Sequence, residues 1–183
     1  GRLQLVNLAA GLAVKDAVKK TCSVRLALKW PNDLLWENRK VCGILSEASS
    51  ESDRIRDCCT GIGINITSPS LENNRETAAV LSQAAFLNDM TGGVHRGVLA
   101  ATLLDRFADI LAVMEIDGGK SLLERYRKEC ATLGRDVAVI TDDGTERGRG
   151  VGIGENGELI VQNQHGTVAY CAADIVHATP EES

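Results

Sequence analysis

The apolar residues of this chain change their spacing at Gly134. Before it they recur at intervals of three and four over long stretches; after it they fall in short alternating runs separated by Asp-Gly and Asn-Gly pairs. Such a switch separates a region of helices and sheet from an all-β module, which places the chain in the mixed α/β (α+β) class. "LQLVNLAAGLAVKDAVKK" puts Leu5, Leu8, Ala9, Leu12 and Ala17 on one helical face. Leu99, Leu103, Phe107, Ile110 and Met114 do the same for a second helix, and "SLLERYRKECATLG" gives a third with Gly134 as its stop. Between the first and second helices, "VRLAL", "VCGILSEA" and "CCTGIGINI" read as a three-stranded meander over residues 26 to 66, with turns at Pro31-Asn32-Asp33 and at "ENRK". The expected organisation is one unit over 1–133 and a small β module over 134–183, too short to be stable unless it packs on the rest.

Charge and composition exclude several functions. A formal charge of -5 and a pI near 5.3 offer no general attraction to nucleic acid or acidic lipid, so neither partner is expected. No run of apolar residues is long enough to cross a bilayer, and nothing resembles a secretory signal. The six cysteines, at 22, 42, 58, 59, 130 and 171, form no C-x-x-C and no Cys/His zinc spacing, which suits thiols in a reducing cytoplasm. Cys58 and Cys59 read as buried small hydrophobes, and His95, His165 and His177 as isolated surface or structural residues.

Two glycine patterns resemble phosphate loops without their context. Gly152, Gly154 and Gly157 spell G-x-G-x-x-G, but a strand, "ELIVQ", follows where the dinucleotide loop needs a helix; a hairpin with Asn156-Gly157 at positive φ is the expectation. Arg147 and Arg149 alternate with glycine on a strand, as exposed strand residues do. The opening meander is richer. Lys29, Asn32, Asp33 and Lys40 cluster around one turn, Gly43 bares the next strand, and Gly61 and Gly63 bare one face of a third that ends at Asn65. A flat ligand can lie against such a face. Trp30 and Trp36, the two tryptophans of the chain, read as packing that stiffens this cluster.

The succession "KWPNDLL", "RK", "GIL" with Glu47 two positions on, and "GIGINI" resembles that of the biotin protein ligases (biotin–acetyl-CoA-carboxylase ligases), and the likeness runs along the whole chain. The resemblance implies a class II aminoacyl-tRNA synthetase-like mixed sheet with helices, followed by a small Src-homology-type β-barrel. It also implies a reaction: biotin is activated by ATP with Mg²⁺ to biotinyl-5'-AMP, then passed to a lysine of a biotin carboxyl carrier domain. By resemblance Lys40 is the catalytic cation, Lys29 a second cation, and Asn32 and Asp33 the turn near phosphate and Mg²⁺. Gly43, Gly61 and Gly63 line the biotin side, and Asn65 meets adenine. A homodimer stays open. The family's arginine- and glycine-rich loop, upstream of the first helix, is not in this sequence, so the chain reads as the C-terminal portion of such an enzyme. Rival readings are a lipoate-type ligase and a non-catalytic fragment that binds nucleotide or carrier; a repressor role would require a winged helix.

Overall fold

The structure is a computed structural model that describes residues 2–51, 54–69, 81–141 and 144–177. Helix α1 (Arg2–Cys22) is followed by four antiparallel strands in the order β1-β2-β3-β4: β1 (Ala27–Lys29), β2 (Asp33–Trp36), β3 (Arg39–Glu51) and β4 (Arg54–Ile64). A short helix α2 (Leu87–Thr91), the long α3 (Arg96–Asp117) and α4 (Lys120–Glu129) come next. The second sheet has the order β8-β7-β6-β5-β9, from β5 (Asp136–Thr141), β6 (Gly144–Ile153), β7 (Leu159–Asn163), β8 (Gly166–Tyr170) and β9 (Asp174–His177).

Helix α1 is buried on more than the one face its period suggests. Leu5, Leu8, Leu12, Val14, Ala17 and Val18 are all in the core, because the first sheet covers one side, α3 and α4 another, and the β6–β7 turn a third. Glycine at position 11 permits this: a methyl there would stand 3.2 Å from Leu28 and 3.8 Å from Ile44. Arg125 of α4 forks onto Asp16 of α1, one of its two bonds being 2.8 Å long, and so fixes the two helices side by side.

The meander has four strands, not three. Asp33, expected in a turn, opens a strand of its own, Asp33–Trp36, because Lys29 pairs with Asp33 and confines the turn to Trp30, cis-Pro31 and Asn32. The second turn falls where expected: Glu37 and Asn38, at φ 48° and 64°, join Trp36 to Arg39 as a two-residue hairpin. The third helix stops at Glu129, ahead of Gly134. Cys130 is drawn into an extended conformation beside β1, where Ala131 N–H donates to Leu28 O (2.8 Å), and Gly134, at φ 77°, belongs to the turn that enters β5. Cys58 and Cys59 are exposed, contrary to the expectation of burial, because the β3–β4 ribbon extends beyond the cover of α1.

The second sheet is anchored through Trp30. Its ring is fully buried, with Nε1 donating to Gly157 O at 2.8 Å, and its backbone N–H donates to the Thr132 hydroxyl at 3.0 Å. Gly157 closes the β6–β7 turn at φ 88°, and Asn156 keeps a negative φ, so only one of the two expected residues takes the left-handed form. With β7 following, the glycines at 152, 154 and 157 are a hairpin and not a dinucleotide loop. Thr132 Oγ1 also lies 3.1 Å from His177 Nε2.

Burial, with Arg135 and Lys29 nearby, pushes His177 from 6.5 down to about 4. The unfolded chain therefore binds this proton at a higher pH than the folded chain. The contribution is fully present above about pH 6.5 and is lost as the pH falls toward 4. The urea midpoint is expected to decline across that window more steeply in the parent than in His177→Gln; equal slopes would remove His177 as a cause.

Candidate functional site

The residues of the first sheet meet at a single carboxylate. Asp33 Oδ1 lies 2.5 Å from Lys40 Nζ, and its Oδ2 lies 3.7 Å from Lys29 Nζ. Lys29 and Asp33 face the same way because they are paired across β1 and β2, and Asp33 is paired in turn with Gly43 of β3. Lys40 would not join them in a regular ladder, since it stands three residues from Gly43 and alternation would send it to the opposite face. A bulge reverses this. Leu34 pairs with Cys42 and Leu35 with Lys40, leaving Val41 over, so Lys40 emerges on the Asp33 side.

The bulge is pinned from behind. Asn65 donates its backbone N–H to Val41 O (2.8 Å) and its side-chain amide to Lys40 O (2.9 Å). Lys40 N–H donates to Gln83 O (2.7 Å), and Lys40 O accepts a further bond from Ala85 N–H (2.9 Å). The backbone of Lys40 is thus fully engaged, whereas its side chain is half exposed. On the front, Asn32 fixes the turn to β3: its amide donates to Ile44 O (2.8 Å), and its own carbonyl accepts from Ile44 N–H (2.9 Å).

Gly43, Gly61 and Gly63 form a bare floor. Gly43 faces Gly63 across the strands, and a methyl added at Gly61 or Gly63 would meet nothing closer than a backbone oxygen at 3.6 or 3.8 Å. Leu45 stands at its margin, 64% exposed. Together with Asn32 and Lys40 these residues line a hollow of about 530 Å³. A larger hollow, about 1300 Å³, lies on the second sheet beside Arg147 and Arg149. We place the site at the smaller one, where Lys40, with Asp33 and Lys29 behind it, meets a run of bare glycine backbone. Cys42, beneath the floor, is no nucleophile: burial, reinforced by Asp33 and opposed by Lys40, pushes its thiol up to about 12.

The profile of the Biotin/lipoate A/B protein ligase family matches residues 2–65. Among curated proteins, the biotin–[acetyl-CoA-carboxylase] ligase of Mycobacterium tuberculosis is 30% identical over 94% of this chain and 62% of its own length. The corresponding ligase of Paracoccus denitrificans is 28% identical over 93% of this chain and 71% of its own. These matches support the biotin protein ligase family. The bifunctional ligase/repressor BirA of Bacillus spizizenii is 29% identical over 93% of this chain, which spans only about half of that relative, 52%. The biotin protein ligase of Aquifex aeolicus shares the fold, with a TM-score of 0.82 at 23% identity over 97% of this chain and 76% of the other. The same ligase solved with biotin and ATP superposes with a TM-score of 0.79 at 24% identity, over 97% and 72%.

The sequence-derived residues divide into two groups. Asn32, Lys40, Gly43, Gly61 and Gly63 line the hollow, and Asp33 and Lys29 stand beside it through the ion pairs Lys40–Asp33 and Lys29–Asp33. Asn65 stands behind Lys40 with its amide nitrogen committed, and among the described residues no donor reaches its Oδ1. Asp33, next to Asn32, faces two ammonium groups, and among the described residues no group of three or more His, Cys, Asp or Glu side chains converges. Sequence reasoning missed Leu45, which its alternation with Gly43 could have flagged, and Gln83 and Ala85, whose contribution is backbone alone and leaves no residue-type signal.

A methyl at Gly43 would fall 2.9 Å from Lys40 Cε and 3.1 Å from its Nζ. Gly43→Ala should therefore swing the ammonium away from Asp33 while costing less than about 1 kcal/mol of stability, since the displaced atoms end a flexible chain. Denaturant unfolding together with the Lys40 side-chain NMR signal checks this; a Lys40 signal identical to that of the parent would contradict it.

Proposed function

We propose that the chain carries the active-site floor of a biotin–protein ligase. The supporting observation is the arrangement of Lys29 and Lys40 around Asp33 beside the bare Gly43–Gly63 face, which leaves a net positive hollow suited to a flat, anionic reactant. In this reading a carboxylate oxygen of biotin attacks the α-phosphate of ATP, pyrophosphate leaves, and biotinyl-5'-AMP forms. The amine of a carrier-domain lysine then attacks the acyl carbon, AMP departs and the amine loses its proton. Two anions must meet in the first step, so fixed positive charge at the reacting phosphorus is worth several kcal/mol. Lys40, with a pinned backbone and a half-exposed ammonium paired to Asp33, supplies it. Lys29 steadies Asp33 and the field around it.

The glycine floor takes the fused rings of biotin, and Asn65 Oδ1 accepts from the adenine amino group. Asn32 shapes the turn. Mg²⁺ would offset the charge of the nucleotide phosphates, with the Asn32–Asp33 turn as the part of the chain that would face it. The finer architecture we read as part of a class II aminoacyl-tRNA synthetase-like unit over 1–133 and a Src-homology-type barrel over 134–183. The carrier partner, a homodimer and a cytoplasmic setting belong to the same reading; no helix of the described residues is long and apolar enough to cross a membrane. A lipoate-type ligase would use the same phosphoryl chemistry, but the relatives named for a substrate are named for biotin.

Replacement of the proposed catalytic cation tests the reading directly. In the whole protein, Lys40→Ala should lower biotin-dependent pyrophosphate exchange by about 100-fold or more, because its charge is most useful in the transition state. Activity within threefold of the parent would overturn the assignment.

A further inference from the structure

The segment Cys130–Thr132 lies along the free edge of β1 and holds both backbone groups that flank Lys29. Leu28 O accepts from Ala131 N–H at 2.8 Å, and Trp30 N–H donates to Thr132 Oγ1 at 3.0 Å. In a strand these two groups point to the same edge, so Lys29 sits at the centre of the clasp with its side chain turned toward Asp33. Thr132 is the one buried polar residue of the core among the described residues. Its hydroxyl is shared with His177 Nε2 (3.1 Å), which closes the clasp from the second sheet. The far side of that imidazole faces Arg135, whose Nη1 lies 3.5 Å from Nδ1 and 3.4 Å from Asn38 Oδ1 in the β2–β3 turn.

We propose that Thr132 and His177 are positioning residues of the ligase reaction, holding the backbone at Lys29 and Trp30 so that Lys29 and Asp33 keep their places beside Lys40. The inference rests on the ligase reading above and extends it to two residues that touch neither substrate. A buried hydroxyl could serve folding alone, but this one bonds the residue that joins β1 to the Pro31–Asn32 turn. It also takes its second partner from a strand 45 positions further on. Its loss should loosen one point of the site and leave the glycine floor intact.

The test uses the whole protein with Thr132→Val, which keeps the shape and removes the hydroxyl, and Thr132→Ser, which restores it. Expected for Thr132→Val is a fall of at least tenfold in kcat for biotin-dependent pyrophosphate exchange, with KM for biotin within threefold and the fold retained by circular dichroism. Thr132→Ser should recover to within threefold of the parent. Equal kcat in Thr132→Val and the parent, or a rise in KM alone, or no recovery in Thr132→Ser, overturns the proposal. If Thr132→Val does not fold, His177→Gln, whose amide can replace Nε2, is compared with His177→Ala, and equal kcat in these two overturns it. A parent without exchange activity defeats the ligase reading instead. The positioning claim is then judged by the amide NMR shifts of Lys29 and Asp33 in Thr132→Val: displaced shifts uphold it, unchanged shifts overturn it.

Discussion

Asp33 is a carboxylate with little access to water, and two ammonium groups must come to it from different strands. Ladder geometry delivers the first, because Lys29 is its cross-strand partner. It cannot deliver the second, because Lys40 has the wrong parity relative to Gly43. The bulge at Val41 supplies the missing half-step and leaves Val41 without a partner on β2. Asn65 bonds the carbonyls of both Val41 and Lys40, and Gln83 and Ala85 complete the frame around Lys40. Most of the unusual backbone in the first sheet thus follows from the need to place one lysine on the other side of a strand. Gly43 completes the arrangement, since any side chain there would occupy the space of the Lys40 ammonium.

The second sheet enters through Trp30. A fully buried indole needs a partner for its N–H, and Gly157 O provides it at 2.8 Å from across the module boundary. Because the β6–β7 turn also approaches Gln4 and Leu8 of α1, the module is seated on the same helix that supports the first sheet. Arg127 adds a bond to Ile153 O at 2.8 Å. A five-stranded sheet of this size has little core of its own, and these contacts supply the apolar and polar closure it lacks.

The sequence carried the helices, the Glu37–Asn38 turn, the glycine floor and the group of site residues, because each leaves a signal in local spacing or residue type. What it hid was set by backbone relations between distant segments. Asp33 reads as part of a turn because Pro31-Asn32-Asp33 has turn chemistry, yet the turn closes within three residues and releases Asp33 to pair. Lys40 could be nominated from its neighbours, but its face depended on a bulge that no residue type announces. Cys58 and Cys59 looked like core residues because thiols usually are, whereas the length of the β3–β4 ribbon relative to α1 decides their exposure. Thr132 and His177, 45 positions apart and both common in loops, gave no sign of meeting.

The two lysines differ in a way that bears on how a positive site can serve a reaction with changing charge. Lys29 is mostly buried, its strand clasped on the free edge, and its ammonium stays 3.7 Å from Asp33. Lys40 is held at the backbone and pairs its ammonium with Asp33 at 2.5 Å, but half of its side chain is in solvent. A charge fixed on both counts keeps Asp33 in place whatever occupies the hollow. In the proposed reaction, a charge fixed at its root and half in solvent at its tip can leave Asp33 for a phosphate oxygen at small cost, because Lys29 continues to compensate the carboxylate when it goes. Rigid scaffold and movable cation are therefore complementary: the first lowers the reorganisation that the second must complete. The same division explains why the polar bonds of this site are concentrated on the main chain of residues 28 to 44, leaving the tip of Lys40 as the part that can follow the substrate.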